Sequence, residues 1–270
     1  MGDKASCLDV EELPATIVFR DLPDDIPTFL CTGYTDLRKS ISGLSEKIEE
    51  MYQLDSRSRC MTFFCGRRVD RFKVLMYNGD GYLVMTKRFE KRRLIWPRLG
   101  GKTSGELWWL SHENLDSLLA GNALSVDDID DGEVINEPEI NREKRTMYLH
   151  LLMTDKIPRY FYIITGYTDL RQSIDGYCEI IRHFGSEPQP NAFYLFCGKR
   201  STIMKTLFYD GDGFLLITKQ YTEGSLQWPR YEGEMWDVLI PQYRDLISGK
   251  KITHDVVLKV IHEKKSHADP

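Results

Sequence analysis

No CxxC pair occurs among the six cysteines (Cys7, Cys31, Cys60, Cys65, Cys178 and Cys197), and no histidine partners them, so neither a zinc site nor a disulfide framework is expected. They read as reduced, mostly buried thiols. The chain has no run of about 18 uninterrupted apolar residues, which excludes an evident helical membrane span. Its opening stretch, MGDKASCLDVEELP, is acidic where a secretory signal is basic and then apolar, so a cytoplasmic location is the expectation. GxSxG, HExxH and a Gly-rich phosphate loop are all missing. The histidines (His112, His150, His183, His254, His262 and His267) do not recur at matched positions of the repeat described below. No catalytic residue, metal site or cofactor is therefore expected, and the chain reads as a non-enzyme.

What is present suits folded cores: 270 residues, 41% of them apolar and 11% aromatic, enough for two ordinary domains. The net charge of -5 is unevenly distributed. From Gly33 to Lys102 there are sixteen Lys plus Arg against eight Asp plus Glu, whereas from Gly166 to Gly233 there are seven against eight. The stretch VDDIDDGEVINEPE (Val126 to Glu139) is acidic and poor in apolar residues, and reads as a solvated linker or long loop.

The two regions are copies of one pattern. Tyr77 to Arg98 aligns without a gap on Tyr209 to Arg230, with eleven of twenty-two positions identical. TGYTDLRKSISG (Thr32 to Gly43) returns as TGYTDLRQSIDG (Thr165 to Gly176), and FFCGRR (Phe63 to Arg68) as LFCGKR (Leu195 to Arg200). Ser104 to Gly121 returns more loosely as Glu232 to Gly249. A long period present twice implies a basic first repeat over 14–125, an acidic linker over 126–145 and a divergent second repeat over 146–260.

Within a copy, PTFLCTG or RYFYIITG reads as a strand leading to a helix, with Thr35 and Thr168 as N-caps and Asp36 and Asp169 at the positive end of the dipole. Leu37, Ile41, Leu44 and Ile48 form its apolar face up to about Tyr52. MTFFC, DRFKVLMY and YLVMTKRF read as a meander of three strands, or four with the short LIW segment that ends at Pro97. A helix from about Ser111 stops at Gly121, and Gly249 ends its counterpart. The fold class is thus α+β: two homologous domains, each strand, helix, antiparallel meander and helix.

Gly79, Asp80 and Gly81 lack the further oxygen ligands of a calcium loop and read as a tight hairpin turn. With Asp80 and Gly81 central, Phe72, Val74, Met76, Leu83, Met85 and Phe89 share the apolar face that meets the helices. Lys87, repeated as Lys219, falls on that face; it reads as a side chain that snorkels past the sheet edge or is held for an anionic ligand. Trp96 and Pro97, repeated as Trp228 and Pro229, read as a structural corner. Arg98, repeated as Arg230, suits either a phosphate or Asp36. Arg67, Arg68, Arg71, Lys73, Lys87, Arg88, Arg92, Arg93 and Arg98, interleaved with aromatics, form a candidate nucleic-acid-binding set. The second copy, with Gln220, Gly224 and Ser225 in place of Arg88, Arg92 and Arg93, is expected to bind anions weakly. Asp36 with Asp80, repeated as Asp169 with Asp212, could serve a metal-dependent nuclease, but an N-cap and a turn account for them more simply.

These motifs, in order, resemble the small accessory protein TnpB, the second open reading frame of the insertion sequence 66 family. The resemblance rests on Asp36, Leu37, Arg38, Lys39 and Ser40, then Asp70, Arg71 and Lys73, then Gly79, Asp80 and Gly81, and finally Trp96, Pro97 and Arg98. Asp169, Arg171, Asp212, Trp228 and Arg230 carry it into the second copy, where Thr202, Ile203 and Met204 replace the Asp70-Arg71-Phe72 run. Nothing resembles the RNA-guided nuclease that shares the label TnpB. The resemblance implies a non-enzymatic role supporting transposition, with DNA and a separate transposase as the expected partners. The tandem arrangement departs from a family of single domains. The alternative is a protein-interaction module that recruits a transposase or other partner without contacting DNA.

Overall fold

The computed structural model describes residues 26–58, 60–79, 81–98, 106–124, 160–231, 233–253 and 259–262, with backbone alone at 112 and 259–262. The first half comprises β1 (Thr28–Cys31), α1 (Ile41–Tyr52), β2 (Met61–Cys65), β3 (Arg71–Tyr77), β4 (Gly81–Phe89), β5 (Leu107–Leu110) and α2 (His112–Ala120). The second repeats that order with β6 (Tyr160–Ile164), α3 (Ile174–His183), β7 (Ala192–Cys197), β8 (Ile203–Tyr209), β9 (Gly213–Tyr221), β10 (Glu234–Val238) and α4 (Ile240–Ile247), and adds β11 (Lys259–His262). Both halves have the expected α+β pattern, yet they share a single sheet in the order β11-β10-β6-β7-β8-β9-β4-β3-β2-β1-β5.

Each helix crossover makes its flanking strands parallel, β1 with β2 and β6 with β7, while the meanders pair antiparallel. The helices begin later than expected. Ser40 caps α1, its side chain accepting from the Gly43 N–H at 3.4 Å, and Ser173 caps α3 in the same way at 3.2 Å. Thr35 and Thr168 are instead buried, their N–H groups donating to the carbonyls of Cys65 and Cys197. The turn residues between carry their own local bonds, which hold the chain out of a helix until the serine. The meander has three strands and not four: residues 92–98 form no strand, and Leu94 and Trp96 are anchored from a loop. In contrast β5, at one edge of the sheet, and β10, between β6 and β11, are strands in stretches before the last helix of each half where the sequence predicts none.

Helices cover both faces of the sheet. On one face α1 packs Leu44 and Ile48 against Phe64, Leu75 and Val84, and α3 packs Tyr177 and Ile181 against Tyr194, Phe196 and Leu207. On the other, α2 and α4 lie on a core that runs without a break through both halves, from Phe72, Val74 and Met85 to Ile217, Leu215 and Phe208. The apolar face named from the sequence is therefore only one of two buried faces. The hairpin pairs Tyr77 with Tyr82, two residues away from the expected register, which preserves the assignment of side chains to faces. Five described cysteines are free and buried, and burial pushes the thiols of Cys60 and Cys65 up to about 12.

Candidate functional site

The two halves meet where β4 and β9 pair antiparallel over nine residues, from Gly81 opposite Tyr221 to Phe89 opposite Gly213. Met85 lies opposite Ile217, its own counterpart in the repeat, so a pseudo-two-fold axis passes between them. A Cβ on Gly81 would overlap the carbonyl of Gln220, and one on Gly213 the carbonyl of Arg88. The last glycine of each GDG motif is thus required by the other half. The first glycine, Gly79 or Gly211, supplies the turn's positive φ of 94° or 89°.

Charged side chains from the first half bridge this seam. Lys87 is 2% exposed and donates to Asp210, with Asp212 at 4.0 Å. Burial lowers its pKa, and the Asp210 carboxylate opposes that shift. Arg88 forms a bidentate pair with Asp175 of α3 at 2.9 and 3.0 Å and stacks on Phe214. Arg92 pairs with Asp212 at 2.9 Å, donates to the Leu119 carbonyl and stacks on Phe89. At the related positions the chain holds Lys219 bonded to Asn78, and Gln220 and Gly224 in place of the two arginines. Lys87 therefore neither snorkels to the sheet edge nor faces an open surface. Arg88 and Arg92 likewise hold the halves together.

The remaining basic residues converge elsewhere. An open groove of about 550 Å³ runs from the loop before α1 to β3 and β4, lined by Arg38, Arg67, Arg68, Arg71 and Lys73 among others. Asp36 builds its rim: its carboxylate accepts Arg38 Nε at 2.9 Å and Nη2 at 2.7 Å, and these bonds hold it at about 2. Arg71 is paired with Asp70 at 2.9 Å, and Lys73 donates to the Lys39 carbonyl at 3.1 Å. Arg67 and Arg68 are exposed, and among the described residues neither has a carboxylate within 4.0 Å. Arg98 donates to the Arg67 carbonyl, fixing the loop that presents this pair, and does not reach for Asp36. Arg93 is exposed beyond the groove.

The second half repeats the framework. Asp169 and Arg171 pair as Asp36 and Arg38 do, with Asp169 again held at about 2. Arg230 donates to the carbonyls of Gly166, Gly198 and Lys199 and to the Ser201 hydroxyl. Trp96 and Trp228 bind the carbonyls of Cys31 and Ile164 at 3.0 and 3.1 Å, as a structural corner requires. Asp80 lies outside the described residues, so its pairing with Asp36 is not described; Asp169 and Asp212 are engaged by Arg171 and Arg92. Among the described residues no group of three or more His, Cys, Asp or Glu is placed to hold a metal, and no helix is long and apolar enough to cross a membrane. Sequence reasoning missed Asp175 and Asp210. Their signal was the loss of neutral counterparts, Ser42 and Asn78, at matched positions of the first copy.

Fold and site define a fused pseudo-dimer: two like α+β halves joined edge to edge, the first with a cationic groove beside its first helix. The chain belongs to the family described as IS66 Orf2 like protein, proteins accessory to transposition, whose pattern matches residues 26–127 and again 159–256. It is also similar to the uncharacterized protein y4hO of Sinorhizobium fredii (strain NBRC 101917 / NGR234), 28% identical over 97 residues, which covers 36% of this chain and 81% of that protein. No solved structure matches it significantly.

Proposed function

We propose that the chain supports transposition as a non-enzymatic accessory protein and that the groove of its first half contacts nucleic-acid backbone. The observation that carries this is the exposed Arg67 and Arg68 pair, with no carboxylate in ion-pair range among the described residues, beside Arg38 and Lys73. Cations placed this way release condensed counterions when they meet phosphates, so their contribution is sequence-independent and falls with salt. Lys87, Arg88 and Arg92 have no part in this contact, because the second half occupies them. A second reading, recruitment of a transposase or other protein without DNA, is favoured by the overall charge of -5. Titration of labelled duplex DNA across a salt series separates the two. The variant with Arg67 and Arg68 changed to Gln should lower the slope of log affinity against log salt by up to about 2. Affinity that ignores both salt and these changes removes the DNA contact.

A further inference from the structure

Two of the cations lost from the second copy, Arg88 and Arg92, bridge the seam, whereas the groove side chains other than Arg71 keep basic counterparts. Tyr34, Arg38, Arg67, Arg68 and Lys73 recur as Tyr167, Arg171, Lys199, Arg200 and Lys205. Asp70 and Arg71, an ion pair in the first half, are replaced together by Thr202 and Ile203, so the exchange leaves the net charge of the site unchanged. Tyr167, Arg171, Lys199 and Arg200 are all exposed. Lys73 and Lys205 lie on the same sheet face, the one that carries α1 and α3. Lys73 lies beside Thr86 and Lys205 beside Thr218, and Thr86 and Val84, the neighbour of Thr218, alternate on one face of β4. From β3 to β8 there are three strand spacings, about 14 Å. Each lysine has its pKa lowered by burial, and the Lys73 charge lowers that of Lys205 further.

We infer that the second half carries an equivalent groove and that the two together grip the backbone of one nucleic-acid duplex, its local dyad aligned with the pseudo-two-fold between Met85 and Ile217. The inference rests on the reading of the first groove as a nucleic-acid contact. A duplex has a local dyad that exchanges its strands, so each groove meets one strand in the same way, as two-fold proteins do on two-fold sites. A single strand offers no such match.

The full chain is titrated by fluorescence anisotropy with a labelled DNA duplex and with a single strand of equal length, across a salt series. Arg67→Gln with Arg68→Gln, and Lys199→Gln with Arg200→Gln, are each expected to lower the salt slope for the duplex by about 2, and all four changes by about 4. Duplex affinity should exceed that of the single strand at least tenfold. Circular dichroism melts of the three Gln variants verify folding, and Lys199→Arg with Arg200→Lys should restore the slope. Loss with the first pair and none with the second overturns the two-groove inference while sparing the first-groove reading. Equal affinity for the single strand overturns the dyad alignment. No salt-dependent binding by the full chain overturns both readings.

Discussion

Single residues show how much of the repeated pattern serves the partner half. Gly213 looks like a turn glycine, yet its φ is not in the left-handed region and its constraint is the Arg88 carbonyl across the seam. Gly213→Ala should cost about 1–3 kcal/mol by overpacking, read as a lower urea midpoint. Gly43→Ala, in the first turn of α1 with only the flexible Lys39 side chain at 3.5 Å, should instead stabilise by about 0.4–1 kcal/mol. Lys205 offers a test through pH. Burial, and then the Lys73 charge, lower its pKa to about 8, with Asp169 opposing. Above that value the native state sheds a proton that the unfolded chain keeps until its pKa near 10.5. Its contribution to stability is therefore least favourable below pH 8 and improves as pH rises through that window. The difference in unfolding free energy between the wild type and Lys205→Met, measured from pH 7 to 10, should rise with pH through this window, because the buried cysteines and the other buried lysines are common to both proteins.

At the scale of elements, period and turn chemistry made β1 to β4, α1 and their counterparts legible, because each is long enough to show its alternation or its three-and-four spacing. The start of α1 was not, since threonine before aspartate has the right composition for a cap and only the Asp36 to Arg38 bonds reveal a turn there. Nor was β5, whose four residues LWWL are too few to separate a strand from the lead-in to a helix. The seam was the largest omission. Alternation in β4 shows that its faces are buried but says nothing about which chain segment lies along its edge. Arg88 and Arg92 have no acidic partner within their own copy, so they resembled solvent-facing cations. The energetics at this scale follow from burial. Lys87→Met leaves the Asp210 carboxylate buried without its counter-ion and should cost about 3–5 kcal/mol in chemical denaturation. The Arg88 and Asp175 pair, with Asp175 largely exposed, should give a coupling of only about 0.2–1 kcal/mol in a double-mutant cycle, diminishing with salt.

For the molecule as a whole, the uneven charge of the two copies becomes a question of which halves pair. The β4 and β9 pairing is geometrically self-complementary, so two first halves or two second halves could align through the same strands. Their side chains favour the mixed pair. In the observed arrangement one side of the axis joins Lys87, Arg88 and Arg92 to Asp210, Asp175 and Asp212. Two first halves would set Lys87 against Asn78 and Arg88 against Ser42 on both sides of the axis. Two second halves would set Gln220 against Asp175 and Gly224 against Asp212. Each like pairing keeps one opposite charge in place, Asp80 for Arg92 or Asp210 for Lys219, but strands Lys87 and Arg88, or Asp175 and Asp212, which the unlike pairing joins, and specificity depends on that difference. Residues 1–130 and 131–270 coexpressed as separate chains should accordingly form a one-to-one heterodimer. Exchanging the signs in the first half alone, with Arg88→Asp and Arg92→Asp, should shift the mixture toward like pairs, read by native mass spectrometry. An unbiased mixture from the unmodified halves would show that backbone pairing and the shared core determine assembly and that the charges are incidental to it.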